Sequence, residues 1–198
     1  KLEFAQHGAS AQLPEVMKLS ADHGASIYAF ARLVPIGEGL KLYNDMLTPL
    51  EYRNLLDRMF REYMELKEKY SSFTMPRKDP LWALYFNERG MLPTPTDRLI
   101  TNGCSVGINN LCLDADGTVY SCRRLEIPIG NVNDESLLDI FLKSKTMEEH
   151  REVEKIEGCN NCELMPYCRG CRAAARAVTG SYYGRDPQCW KEFKLETS

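Results

Sequence analysis

The sequence predicts an α/β region followed by a small, cysteine-rich α+β region built around a β-hairpin. Three observations predict it. Before Pro93, short apolar runs alternate with stretches of helical period, as β-α-β-α. At Pro93-Thr-Pro95 the alternation stops. Beyond it the chain is punctuated by glycine and holds all eight of its cysteines, and Asp116-Gly117 separates two short apolar runs as a hairpin turn.

The first region is read element by element. Leu2 to Ala5 is a predicted strand. Pro14 to His23 is a predicted helix, with Pro in its first turn and Gly24 placed to end it. Ser26 to Val34, SIYAFARLV, is apolar on both faces except for Arg32, as in a parallel strand covered on each side. Thr48-Pro-Leu-Glu51 is a capping box. The helix that it starts carries Tyr52, Leu55, Leu56, Met59, Phe60, Tyr63 and Leu66 on one stripe. These elements fill residues 1 to about 70. They offer too few strands to bury both faces of a parallel layer, so the region is expected to dock elsewhere or to end a longer α/β unit. Arg32 has two readings: an edge arginine with its head in water, or a ligand-facing cation at a strand end.

In the second region, Leu111 to Cys122 reads as the hairpin. Folding at Asp116-Gly117 would bring Cys112 and Cys122 alongside each other, at roughly 5 Å across the strands. A helix from Glu135 to Glu154 follows, with Leu137, Leu138, Ile140, Phe141 and Leu142 as its apolar residues. An alanine-rich helix, Arg172 to Val178, stops at Gly180. Lys78 to Trp82 and Tyr182-Tyr183 read as packing under loops. Two domains are expected, 1–95 and 96–198.

Composition narrows the function. A chain of 198 residues that is 43% hydrophobic and 27% charged has the makeup of a soluble globular protein. The apolar run from Ile27 to Ile36 is broken by Arg32 and too short to cross a membrane. KLEFAQHGAS is no secretion signal, so a cytoplasmic location is expected and disulfides would lack an oxidising compartment. A net charge of -3 without a basic tract predicts no nucleic-acid partner. The chain does not begin with methionine and is expected to be part of a longer protein.

The cysteines carry the chemistry. Cys159-x2-Cys162-x5-Cys168-x2-Cys171 packs four thiols into thirteen residues, and Cys104, Cys112, Cys122 and Cys189 supply four more. Core cysteines are usually single and set among apolar neighbours, whereas these neighbour Gly, Asn, Arg and one another. Metal binding by two four-thiolate sites is the better account. Zinc favours similar Cys-x2-Cys pairs, often with histidine, and none of His7, His23 and His150 falls inside the run. A short run of cysteines plus a remote one suits an iron-sulfur cluster better.

The order Cys104-x12-Gly117-x4-Cys122, then the four-cysteine run, then Cys189 resembles the SPASM domain of radical S-adenosylmethionine enzymes. DADGTVYSC, the following Gly130-Asn-Val132, CRGCRA, Gly180 and Asp186-Pro-Gln-Cys189 support the resemblance. It implies two auxiliary 4Fe-4S clusters, one on Cys104, Cys112, Cys122 and Cys171, the other on Cys159, Cys162, Cys168 and Cys189. Two residues separate Cys168 from Cys171 where the family more usually has three.

The first region resembles the last strands and helices of the partial TIM barrel of those enzymes. There, Arg32 to Lys41 would lie near the cofactor's adenosine, which makes Arg32 a cofactor-binding candidate. A Cys-x3-Cys-x2-Cys triad is absent from the 198 residues. S-adenosylmethionine and a third 4Fe-4S cluster would therefore belong to the complete enzyme. The resemblance implies an electron donor such as ferredoxin or flavodoxin, and radical modification of a peptide, by thioether or carbon-carbon crosslinking. Tetrapyrrole side-chain modification and a stand-alone two-cluster electron carrier are the alternatives. The sulfatase-maturing type has an Asp after the hairpin cysteine, where this chain has Arg123. Arg123, Arg124, Arg169 and Arg172 could hydrogen-bond cluster sulfide or offset cluster charge and so raise its potential. Arg123 and Arg124 could equally pair with substrate carboxylates, and surface charge on loops is an equal reading of Arg169 and Arg172.

Overall fold

A computed structural model describes residues 2–3, 9–95 and 97–191. Its backbone gathers into two compact units, residues 1–94 with 187–198, and residues 95–186. The last residues, expected to end the second domain, therefore cluster with the first. Side-chain bonds account for it: Gln188 donates to the Leu47 carbonyl at 2.8 Å, and the Trp190 indole donates to Glu88.

In the first unit, strand β1 (Leu2–Glu3) pairs in parallel with β2 (Phe30–Ala31), and Ile27 bridges in parallel to Thr74. Phe4 and Ala5, the rest of the predicted first strand, lie outside the described residues. Among the described residues, the second strand is much shorter than Ser26 to Val34 and pairs with β1 at Phe30 and Ala31. Nor is it covered on both faces: Tyr28, Arg32 and Val34 are buried, whereas Ile27 is 65% exposed. Burial thus follows the pleat, with its period of two.

Helix α1 (Leu13–Asp22) begins with proline in its first turn and inserts Leu13, Met17 and Ala21 into the core. Helix α2 (Pro49–Lys69) starts at the expected capping box, in which Thr48 Oγ1 accepts from the Glu51 N–H while Glu51 accepts from the Thr48 N–H. Its stripe of Tyr52, Leu55, Leu56, Met59 and Leu66 is buried. A short helix not expected from the sequence, α3 (Trp82–Asn87), closes this core through an edge-packed cluster of Phe60, Trp82, Tyr85 and Phe86. Part of the segment Arg32 to Lys41 lies in a 3₁₀ helix, Gly37–Asp45.

The second unit holds a three-stranded antiparallel sheet of β3 (Cys112–Leu113), β4 (Thr118–Tyr120) and β5 (Pro128–Asn131). The turn closes as expected on Asp116-Gly117, with Gly117 at φ 87° and Asp116 accepting from the Thr118 N–H. The predicted helix from Glu135 to Glu154 is instead two, α4 (Leu137–Lys143) and α5 (Lys145–Arg151). Ser144 breaks it by taking an extended backbone, ending one helix and starting the next. Only Ile140 of α4 is deeply buried, so no continuous apolar stripe holds the two in line. Helix α6 (Arg172–Thr179) stops as expected at Gly180, which is left-handed at φ 77°. Among the described residues, no helix is long and apolar enough to cross a membrane.

Thr48→Ala removes the hydroxyl that accepts from the Glu51 N–H and leaves the backbone bond to Glu51 in place; it is expected to cost the first unit about 1 kcal/mol, read as a lower denaturation midpoint.

Candidate metal centre

No disulfide joins the eight cysteines, of which Cys168 and Cys171 are buried and the others half-buried. Seven of them lie in the 95–186 unit, and Cys189 lies in the other. Among the described residues, no three His, Cys, Asp or Glu side chains are gathered as for one metal ion.

Cys104 is held beside the four-cysteine run by backbone. The Cys104 N–H donates to the Cys168 carbonyl at 3.2 Å, and Thr101 and Asn102 both donate to the Pro166 carbonyl. Gly103, at φ 91°, is needed here because a Cβ would lie 2.4 Å from the Cys168 carbonyl oxygen. Arg169 completes the join. Its guanidinium donates to the carbonyls of Met165, Pro166, Asn102 and Cys104, at 2.9, 3.4, 2.8 and 2.7 Å. Its backbone is left-handed, at φ 63°, a conformation that costs a non-glycine residue about 1 kcal/mol or more. Burial pushes this guanidinium's pKa down, while Cys104, Cys168 and Cys159 pull it up. Arginine nevertheless stays charged.

The hairpin carries two further thiols, but not directly opposite each other as expected. Cys112 pairs with Tyr120, so Cys122 lies two residues past the cross-strand partner. Diagonal neighbours of this kind are roughly 7–8 Å apart between Cα atoms and share a face. Asn110 ties the open end, donating to the Ser121 carbonyl at 2.8 Å and to Cys112 Sγ at 3.7 Å.

Cys171 caps α6. Its N–H donates to Asp186 Oδ2 at 2.6 Å, and Asp186 is almost fully buried. That carboxylate faces the positive end of the helix. Gly170 is also tightly packed, since a Cβ there would meet the Asp186 side chain at 2.5 Å.

Three features fit iron-sulfur clusters. Donors already point at ligand sulfurs: Gly170 N–H at Cys168 Sγ, Arg124 N–H at Cys122 Sγ, and Asn110 Nδ2 at Cys112 Sγ, at 3.4, 3.5 and 3.7 Å. The glycines Gly103 and Gly170 let backbone approach the cysteines where a side chain would intrude. Arg172, 1% exposed, keeps Nε and Nη2 buried without a hydrogen-bond partner.

One expectation outside the cysteines changes. Arg32 does not hold its head in water: it is buried, ion-paired through Nε with Asp79 Oδ2 at 2.8 Å, and donates to Gln188 Oε1 at 3.1 Å. Its guanidinium also lies over the Tyr52 ring. Sequence reasoning passed over His150, which is buried, 2.9 Å from Ser121 Oγ and stacked on Tyr182 at 4.5 Å. Nothing in its surroundings in sequence marks it. Gly103 was findable, because Asn102-Gly103 is a turn signal.

With this geometry in view, the comparisons bear on the second region. A family model described as SPASM, iron-sulfur cluster-binding domain, matches residues 104–172. Residues 104–172 are thus similar to a SPASM domain. That stretch holds seven of the eight cysteines. Three curated relatives are named AdoMet-dependent heme synthase. That of Oleidesulfovibrio alaskensis is 29% identical over 88% of this chain and 46% of its own length. That of Methanosarcina barkeri is 26% identical over 90% and 52%. That of Nitratidesulfovibrio vulgaris is 27% identical over 88% and 49%. The chain spans about half the length of these relatives. The solved structure of native anSMEcpe with bound AdoMet shares the fold, with a TM-score of 0.61 at 19% identity over 93% of this chain and 50% of that one.

Two outcomes test the construction of the SPASM-like region. Gly103→Ala forces a Cβ onto the Cys168 carbonyl at positive φ, and is expected to cost about 2 kcal/mol or more in denaturant unfolding. Burial lowers His150 from 6.5 to about 4. Between those values the unfolded chain takes a proton that the folded chain refuses, so stability falls as pH falls from 6.5 towards 4. The full penalty, reached below the folded value, is about 3 kcal/mol. His150→Gln should flatten that slope in unfolding measured across the window.

Proposed function

We propose that this chain is the carboxy-terminal part of a radical S-adenosylmethionine enzyme whose SPASM domain holds two auxiliary 4Fe-4S clusters and which modifies tetrapyrrole side chains. The observation that carries the reading is the thiol set itself, with donors already aimed at its sulfurs. By the family resemblance, Cys104, Cys112, Cys122 and Cys171 take one cluster, and Cys159, Cys162, Cys168 and Cys189 the other. The strands of the first unit belong, on this reading, to the end of a partial barrel. S-adenosylmethionine and the radical-generating cluster are held by the rest of the enzyme, with electrons from a ferredoxin- or flavodoxin-type donor.

The names of the three relatives favour the tetrapyrrole alternative over the peptide modification expected on family frequency. The chain's own residues agree with it. Arg123 is exposed and Arg124 half-buried immediately after Cys122. Such a pair suits the carboxylates on a tetrapyrrole rim, which a guanidinium can bind through two hydrogen bonds. When bound, the clusters supply a place for one electron at a time, as loss of an electron from a substrate radical requires. Arg32 is proposed to position the segment after β2 for the cofactor rather than to touch it, since Asp79 and Gln188 already engage its guanidinium.

Anaerobically purified chain is expected to carry about eight iron and about eight sulfide. Cys104→Ala and Cys159→Ala should each remove about half, and together all. The full-length enzyme, given reductant, S-adenosylmethionine and an iron tetrapyrrole with carboxylate side chains, is expected to yield haem. Zinc in place of iron and sulfide would defeat the cluster reading. Full clusters with no tetrapyrrole conversion would defeat only the substrate reading.

A further inference from the structure

We propose that Arg172, and not Arg169, is the arginine that donates to cluster sulfur, and that it raises the reduction potential of the cluster ligated by Cys171. This rests on the cluster reading above and adds a positioned, potential-setting residue to it. The two arginines look equivalent in the sequence, each directly after a cysteine. Their bonding separates them. Arg169 spends its donors on four backbone carbonyls and ties Cys104 to the four-cysteine run. Arg172 spends only Nη1, which donates to the carbonyls of Tyr182 and Gly184 at 3.0 and 2.8 Å. Nε and Nη2 are buried without an acceptor.

A buried donor without a partner is costly, and more so on a charged group. An intact fold tolerates two of them on one guanidinium when an acceptor arrives with a ligand. The neighbourhood says which ligand. Nη2 lies 3.0 Å from where a Gly170 side chain would begin, and Gly170 stands between Cys168 and Cys171 with its N–H on Cys168 Sγ. Tyr182, whose carbonyl holds Nη1, is close enough to both Cys104 and Arg172 for each to move its hydroxyl pKa. Cys104 and Cys171 are ligands of the same cluster on the proposed assignment. Asp186, the nearby buried carboxylate, is engaged by the Cys171 N–H. Nε and Nη2 make no hydrogen bond to it, and sulfur of an anionic cluster is an acceptor of suitable chemistry. Donors and positive charge beside it favour the reduced, more negative state.

The test uses the full-length enzyme, with iron and sulfide counted first and cluster potentials then read by EPR-monitored titration. Arg172→Met is expected to keep full iron while one cluster becomes at least tenfold less reduced at fixed potential, a 59 mV fall for one electron. Arg172→Lys should recover part of the shift, and Arg169→Lys should weaken folding without a selective shift. Unchanged potentials in a fully loaded Arg172→Met protein would overturn the assignment. Because losing the Tyr182 and Gly184 bonds could unfold the variant, a second reading uses unmutated protein. Arginine labelled with ¹⁵N at its guanidinium should show hyperfine coupling to a reduced auxiliary cluster. Loaded clusters without that coupling overturn the role of Arg172 alone. Wild-type protein without labile sulfide overturns the cluster reading itself.

Discussion

The SPASM-like region depends on one buried guanidinium. Arg169 reaches four carbonyls on two segments more than sixty residues apart in sequence, and no apolar contact could tie those loops so specifically. The loops are short of regular structure, so their backbone groups must be satisfied one by one. A charged donor to a carbonyl is worth more than a neutral one, about 1.5–3 kcal/mol. That surplus offsets a left-handed backbone at Arg169 and the desolvation of its charge. The glycines Gly103 and Gly170 complete the arrangement by letting the joined backbones come within reach.

The same region has little else to hold it. Its strands are two, three and four residues long. Its apolar residues fall into separate small clusters, Val119, Ile129, Ile140 and Met147 in one, Val153, Ile156 and Met165 in another. Small apolar clusters leave a region of this size dependent on its polar ties as well. Ligand binding by a folded site adds to folding free energy directly. On the proposed reading, cluster ligation and folding would be one equilibrium, with the polar clamp at Arg169 holding Cys104 beside the four-cysteine run.

What the sequence made legible follows from the range of each signal. The capping box at Thr48, the stripe of α2, the Asp116-Gly117 turn and the stop at Gly180 are local, so their residues alone determined them. Ser26 to Val34 misled because composition cannot tell an apolar run that pairs along its length from one that, among the described residues, pairs with β1 at Phe30 and Ala31. The break at Ser144 was hidden for a related reason: the apolar residues of α4 suggested a stripe, yet Leu138 is 66% exposed. Offsets between strands are not written in spacing either, which is why Cys122 falls past Cys112's partner. The cysteine pattern itself was legible, since ligand spacing within a short run survives whatever the distant chain does.

Arg32 and Arg172 show why burial of a cation has to be read with its partners. Both are almost wholly buried, and in sequence both stand out as charges where none is expected. Arg32 meets a carboxylate, an amide oxygen and an aromatic face, so its charge is neutralised within the first unit and its task is to hold the end of β2 in place. Arg172 meets carbonyls on one nitrogen only, and carbonyls do not neutralise charge. A buried cation with two donors left over is the more costly of the two arrangements. A chain bears that cost where an anion completes it, and thiolate-bound iron-sulfur clusters are anions. The contrast thus assigns one arginine to the scaffold and the other to the chemistry, on the strength of what each guanidinium leaves unbonded.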